Sequence, residues 1–92
     1  MSEHPVTLRL KVVTPASLAA EADAEAVFLP TPDGEIGIFP EHRPLHVALG
    51  TGILHFRAGG EEERLSVKGG FAIVGPDAVT VLTELGEEED GA

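Results

Sequence analysis

The segment PLHVALGTGILHFRAGGEEERLSVKGGFAIVGPDAVTVLTE, residues 44–84, decides the fold class. Its short apolar runs are separated by turn signals: Gly50 to Gly52, Gly59 with Gly60, Gly69 with Gly70, and Gly75 to Asp77. Turns at this spacing are typical of β-sandwiches and β-barrels. Within the runs, Leu65 and Val67 alternate with polar residues, as in strands that bury one face. The segment therefore predicts short strands joined by tight turns.

The N-terminal part extends this pattern. Apolar residues occupy every second position from Val6 to Val12, and Pro15 ends the run. In ASLAAEADAEAVFLP, residues 16–30, alanine and glutamate favour a helix, but apolar residues again recur at every second position. We therefore predict two short strands or one bent strand there. The fold class is then all-β, a flattened antiparallel β-sandwich or barrel of about nine or ten short strands.

The amino-acid composition limits the classes of protein to which the chain can belong. The 92 residues suffice for one small domain, which we assign to residues 1–86, and we expect the acidic tail 87–92 to be disordered. Cysteine is absent, which excludes disulfides and a thiolate nucleophile. The net charge is −10 and the lysines and arginines are scattered, which argues against a nucleic-acid partner. No window approaches the roughly 18 apolar residues of a spanning helix, so we predict no transmembrane segment.

The stretch DGEIGIFPEHRPLH, residues 33–46, is the candidate functional segment. TPDG, residues 31–34, predicts a type I turn and therefore a hairpin. In the strand that follows, Ile36 and Ile38 are predicted to face the core, and Glu35, Gly37 and Phe39 to face outward. Pro40 ends the strand, and Gly37 within it indicates close approach of another backbone. Three interpretations of this segment compete: a metal site, a buried strand corner, or a docking edge for another protein.

Enzymatic and metal-binding readings are weak. His42 and His46 have the spacing of two zinc ligands on a helix, but Pro44 would break that helix, so we predict no metal. No serine lies in a nucleophile context, and KGG, residues 68–70, predicts a tight hairpin and not a phosphate loop. We predict no catalytic residue, cofactor or nucleotide site. A protein contact and a simple cover for the open end of the sandwich remain equally good readings of residues 33–46.

Three segments carry a resemblance to a known family. They are DGEIGIFPEHRPLHVALGTGIL (33–54), GGFAIVGPDAVTVL (69–82) and LRLKVVTP (8–15). Together they resemble, in order and with small gaps, the epsilon subunit of the rotary F-type ATP synthase. The resemblance extends from about Val6 to Glu84, and the first two segments are specific only when taken together.

The resemblance implies a non-catalytic rotor subunit of the central stalk. Such a subunit grips the gamma subunit, rests on the c-ring, and couples proton flow to ATP synthesis from the cytoplasmic face of the membrane, which it touches only through the complex. It also implies that Glu35 lies at the c-ring contact and His42 near the stalk interface. Gly37, Ile38, Phe39 and Pro40 lie between them in the same edge.

The chain also departs from the family pattern. Long members continue into a C-terminal helical hairpin that inhibits hydrolysis and in some binds ATP, whereas this sequence ends at Ala92, so neither property is predicted. The polar ending GEEEDGA favours a naturally short form. Glu41 stands where glycine is common, and Arg43 where a small residue is common. An unrelated β-sandwich adaptor is the alternative function, and a small hydrolase a more remote one.

Overall fold

The computed structural model describes residues 7–85 and contains nine strands and no helix among them. The predicted all-β class is confirmed, whereas the predicted tail 87–92 lies outside the described residues. No helix long and apolar enough to cross a membrane occurs in the described part. The strands are β1 (Leu8–Val13), β2 (Leu18–Ala24), β3 (Ala26–Thr31), β4 (Gly34–Ile38), β5 (Leu45–Ala48), β6 (Thr51–Ala58), β7 (Glu61–Lys68), β8 (Phe71–Val74) and β9 (Ala78–Leu82).

The strands form the two layers of a sandwich. One sheet has five strands in the order β2-β1-β9-β8-β5, and the other has four in the order β4-β3-β6-β7. Neighbours are antiparallel except β1 and β9, which run parallel with Leu10 opposite Val79 and Val12 opposite Val81. The first and last strands of the described residues therefore lie side by side. The antiparallel sandwich is confirmed apart from this one parallel pair.

The segment 16–30 forms two separate strands, which confirms the first of the two predicted alternatives, two short strands or one bent strand. β2 and β3 belong to different sheets, and the chain changes sheet at Glu25, whose N–H donates to the carbonyl of Arg57 at 2.7 Å. The alternation of buried and exposed residues also shifts by one position there. Val27 and Leu29 are fully buried, so Phe28 faces outward.

The core lies between the two sheets and is aliphatic. Most buried strand positions contribute a branched aliphatic side chain, and fully burying one such side chain stabilises the fold by about 1.5–3 kcal/mol. A buried polar residue, Thr83, is satisfied because its Oγ1 donates to the Gly69 carbonyl at 2.6 Å. The largest fully buried side chains are Leu8, Leu10, Leu29, Ile38, Leu54, Val12, Val27, Val67, Val79 and Val81.

The KGG segment does not form the predicted hairpin. β7 and β8 lie in different sheets, so Gly69 and Gly70 carry the chain from one layer to the other. Gly70 has φ +97, and a Cβ at this residue would lie 1.9 Å from the Leu82 carbonyl oxygen. Only glycine fits there, because any side chain would collide with β9 backbone. The sequence signal for a turn was correct, but which strands the turn joins depends on long-range pairing.

Replacing Gly70 by alanine is expected to destabilise the fold strongly. The clash with Leu82 adds to the cost of positive φ, and together they are expected to lower the free energy of unfolding by roughly 3 kcal/mol. Gly69→Ala is the matched control, because Gly69 also has positive φ but its Cβ would meet only the Leu49 carbonyl oxygen at 4.0 Å. We expect the control to lose about 1 kcal/mol in urea unfolding. Equal losses would contradict the close approach at Gly70.

Candidate functional site

The site is built on the β3–β4 hairpin at the edge of the four-stranded sheet. Thr31 pairs with Gly34 across the turn, and the Thr31 Oγ1 donates to the Gly34 carbonyl at 2.6 Å. Ile38 is buried and Ile36 half-buried on the core side of β4, whereas Glu35 is exposed on the other side. The predicted hairpin and the predicted two faces of the strand are confirmed. β4 is an edge strand, the position that a docking edge requires.

Aromatic rings occupy the outward side of Gly37. Phe28 is its direct partner on β3, and a Cβ at Gly37 would lie 3.1 Å from Phe28 Cε1 and 3.2 Å from Phe39 Cε2. The Phe28 and Phe39 rings meet edge to face, with centroids 6.0 Å apart and planes at 89°. The prediction that another backbone approaches Gly37 is therefore wrong. Glycine leaves room for the two rings.

His55 on β6 continues this row of side chains and was missed at the sequence level. It is the direct partner of Phe28 on the other side of β3, and the two rings stack with centroids 4.7 Å apart and an interplanar angle of 13°. Its Nε2 lies 3.2 Å from Glu35 Oε1, and its Nδ1 lies 2.7 Å from Glu62 Oε2. Glu35 is thus linked through the imidazole to the far strand β7. We call Glu35, Gly37, Phe39, Phe28 and His55 the β4 patch.

The corner after β4 is held by one backbone contact. The Glu41 N–H donates to the Pro76 carbonyl at 2.6 Å, which ties the corner to the β8–β9 turn. Glu41 has φ 70, in the left-handed region that favours glycine. This conformation gives a physical reason for the glycine that is common at this position in the family that the sequence resembles. The Nδ1–H of His42 donates to the Arg43 carbonyl at 2.8 Å.

The six predicted site residues separate into three groups. Glu35, Gly37 and Phe39 face outward together, and Phe39 is 52% exposed. Ile38, at 1% exposure, lies in the core and can only support β4 from below. The remaining two, Pro40 and His42, belong to the corner that follows the strand.

The structure does not bring His42 and His46 together as the ends of a helical turn. His46 lies on β5 in the five-stranded sheet, and the ring of His42 is engaged with the Arg43 carbonyl. Within residues 7–85, no group of three or more histidine, cysteine, aspartate or glutamate side chains has the arrangement of a metal site.

The five-stranded sheet has exposed apolar side chains on its outer face. Phe71 and Ile73 on β8 are 55% and 43% exposed, and their cross-strand partners on β5 are Ala48 and His46. These four residues line a shallow groove, which we call the β8 patch. Large apolar groups that lie side by side on a surface are typical of contacts with other proteins. The β8 patch is a second candidate contact surface, on the opposite sheet from the β4 patch.

An ion-pair network lies at the other end of the same sheet. Arg9 on β1 bridges two acids of β2, with Nη1 2.9 Å from Asp23 Oδ1 and Nη2 2.8 Å from Glu21 Oε2. The hydrogen bonds that the Arg9 guanidinium donates to Asp23, and then to Glu21, raise its pKa. Exposed pairs of this kind contribute little to stability. They do neutralise one of the few cations of an acidic chain.

Comparisons with known proteins agree with this architecture. The family model described as the β-sandwich domain of the ATP synthase delta/epsilon chain matches residues 7–89. The ATP synthase epsilon chain of Alkalihalophilus pseudofirmus is 42% identical over 81 residues, which cover 88% of this chain and 61% of that protein. The epsilon chain of a Synechococcus strain is 40% identical over 90 residues, covering 95% and 66%. The chain therefore spans less than two thirds of the length of these relatives.

Solved structures show the same fold. A chain in the cryo-EM structure of the Euglena gracilis mitochondrial ATP synthase (OSCP/F1/c-ring, rotational state 1) superposes with a TM-score of 0.83 at 26% identity, covering 97% of this chain and 59% of that one. A chain in the central stalk/c-ring structure of the Tetrahymena thermophila mitochondrial ATP synthase gives a TM-score of 0.70 at 16% identity, covering 85% and 63%. The second likeness concerns the fold alone.

Replacing Gly37 by alanine tests the packing of the β4 patch. The added methyl must push aside two aromatic rings, one of which is stacked on His55, so we expect the free energy of unfolding to fall by about 1 kcal/mol. Gly75→Ala is the control, since a Cβ there would meet only the Ala78 carbonyl oxygen at an ordinary 3.8 Å. Adding Phe28→Leu should relieve part of the Gly37→Ala loss. Urea unfolding of Gly37→Ala, Gly75→Ala, Phe28→Leu and the double variant measures both effects, and additive losses would contradict the ring contact.

Proposed function

The chain belongs to the family of ATP synthase delta/epsilon β-sandwich domains, and from this membership we propose that it is a non-catalytic subunit of the central stalk. In this role it links the gamma subunit to the c-ring and couples proton flow to ATP synthesis. It sits at the cytoplasmic face of the energy-coupling membrane and reaches the membrane only through the complex. The observation that carries the proposal is the family match, which runs across all nine strands.

The architecture suits a part that transmits torque. Two packed sheets with a close-packed aliphatic core resist shear, because such interiors are dense and have low compressibility. The site hairpin is fastened at both ends, by the Phe28 and His55 contacts on one side and by the Glu41–Pro76 hydrogen bond on the other. The family match also removes the alternative of an unrelated sandwich adaptor.

A stalk subunit has two partners, and residues 7–85 carry two candidate contact surfaces on opposite sheets. The β4 patch carries the acidic Glu35, which suits a contact with basic loops of the c-ring and fixes register more than it adds affinity. The other interface residues that we propose in this edge are Gly37, Phe39, Pro40 and His42, whereas Ile38 supports the strand from the core. The β8 patch is apolar, which suits a tighter contact with the gamma subunit.

Co-purification tests the role directly. When the chain is co-expressed with a tagged gamma subunit of its own ATP synthase, we expect the two to be recovered together. Ile73→Ser in the β8 patch should weaken the association about tenfold, which corresponds to about 1.4 kcal/mol. Ile53→Ser is the matched control, because Ile53 is 45% exposed, close to the 43% of Ile73, but lies on the other sheet.

The outcomes have different consequences. Failure of the unaltered chain to associate with gamma would contradict the stalk role itself. Equal weakening by both serine variants would instead move the gamma contact away from the β8 patch. Both variants alter exposed positions, so their unfolding midpoints are expected to stay close to that of the unaltered chain.

Charge reversal at Glu35 tests the c-ring contact. We expect Glu35→Lys to lower proton-driven ATP synthesis in assembled complexes by roughly two- to fivefold while the fold is retained, because a rim charge of this kind is worth only a fraction of a kcal/mol to about one. The control is Glu84→Lys, which alters another exposed acid. The backbone carbonyl of Glu84 accepts from the Lys68 N–H of β7, so this residue lies at the opposite edge of the sheet from β4. Unchanged synthesis in the Glu35 variant would refute the assignment.

A further inference from the structure

The contacts of His55 identify the ionisation state that fits them. Its two ring nitrogens each lie within hydrogen-bonding distance of a carboxylate, 3.2 Å from Glu35 and 2.7 Å from Glu62. Ionised carboxylates only accept, and a neutral imidazole carries a single N–H, so it can serve one of the two. Only the imidazolium donates from both nitrogens. The geometry around His55 therefore offers two acceptors that only the protonated ring can serve at the same time.

The surroundings hold the ring in this position. Phe28 stacks against one face, and the His55 side chain is only 21% exposed. From β7, Arg64 is the direct partner of His55 in the register, beside Glu62, whose own partner is Arg57 on β6. The β3 residues on this face, Phe28 and Pro30, carry no charge. The charged residues on this face are thus the acids Glu35 and Glu62 and, on β6 and β7, the two arginines.

The two carboxylates are not equivalent. Glu62 is closer to its ring nitrogen by half an ångström, and its side chain is 44% exposed against 53% for Glu35. When the imidazole loses a proton, the remaining N–H can keep one partner. The shorter contact to Glu62 is the stronger one, so Glu35 is the carboxylate that is released.

We propose that His55 is a positioning residue for Glu35, and that its proton sets whether the Glu35 carboxylate is held on the sheet or is free for a basic partner. The inference rests on the proposed function, in which that partner is a c-ring loop. Histidine is the side chain that ordinarily changes charge between about pH 5 and 8. Loss of the proton makes the patch more negative by one charge and frees Glu35. Attraction to a cationic loop therefore rises as the pH rises.

The first experiment uses the chain alone. Carbon NMR of the Glu35 Cδ between pH 5 and 8 is expected to show a shift in the range in which histidine titrates, well above the range of a carboxyl group. In His55→Gln this shift should disappear. His46→Gln is the matched control, because His46 is an exposed histidine on the other sheet, and it should leave the shift intact. A well-dispersed amide spectrum shows that each variant is folded.

The results are decisive in either direction. A shift that persists in His55→Gln, or an unaltered chain that shows none, would overturn the inference. A shift that is lost in both histidine variants would also overturn it, because the effect would not be specific to the Glu35 contact. A shift that is lost in His55→Gln but kept in His46→Gln supports the proposed link between His55 and Glu35. None of these outcomes requires a partner, so they leave the stalk role untouched.

The second experiment tests the consequence in the complex. Binding of the chain to its detergent-solubilised c-ring together with gamma is expected to be roughly two- to fivefold tighter at pH 8 than at pH 6, as for a rim charge. His55→Gln and Glu35→Gln should each remove that pH dependence, whereas Glu84→Gln, which alters an exposed acid outside both patches, should keep it. If the binding of His55→Gln still depended on pH, the proposal that the His55 proton controls binding would be overturned. Absence of any binding would overturn the proposed function and leave the NMR result standing.

Discussion

The parallel pairing of β1 with β9 is the constraint on which the sandwich depends. β1 and β9 lie in the middle of the five-stranded sheet, and without their contact that sheet would separate into β2–β1 and β9–β8–β5. The core-facing residues of this pair, Leu10 and Val12 against Val79 and Val81, are fully buried. Because the pair joins the two ends of the described chain, the fold closes only when nearly the whole sequence is in place. Contacts of such long sequence separation are slow to form but make unfolding cooperative.

The four-stranded sheet packs on the five-stranded sheet and exposes the candidate functional strand β4 at its edge. Its central strands β3 and β6 bury Val27, Leu29, Leu54 and Phe56 against the five-stranded sheet. Their outward side chains are then free to build a second, smaller packing layer on the solvent side, in which Phe28 lies between Gly37 and His55. The edge hairpin, whose inner face is already packed on the core through Ile38, thereby gains side-chain contacts on its outer face that run to the centre of its sheet.

The sequence predicted what is local and missed what is paired at a distance. Alternation located the strands and the two faces of β4, and TPDG located its hairpin, because both signals depend on neighbouring residues. Alternation is the same in parallel and antiparallel strands, so the β1–β9 pairing left no trace in the pattern. The KGG turn and the space in front of Gly37 were misread for the same reason. His55 and Glu35 are 20 residues apart, and only the register across β3 brings them together.

The position of His55 connects the mechanical and the electrostatic sides of the site. A carboxylate at the tip of an edge hairpin has considerable rotamer freedom, and ordering it against a partner costs side-chain entropy. In this chain Glu35 is already held by a ring that is itself fixed by stacking on β3 and by Glu62 on β7. When His55 carries its second proton, the same contact that orders Glu35 also neutralises part of its charge. Firm positioning and full electrostatic attraction therefore oppose each other at this residue, and the proton on His55 determines the balance between them.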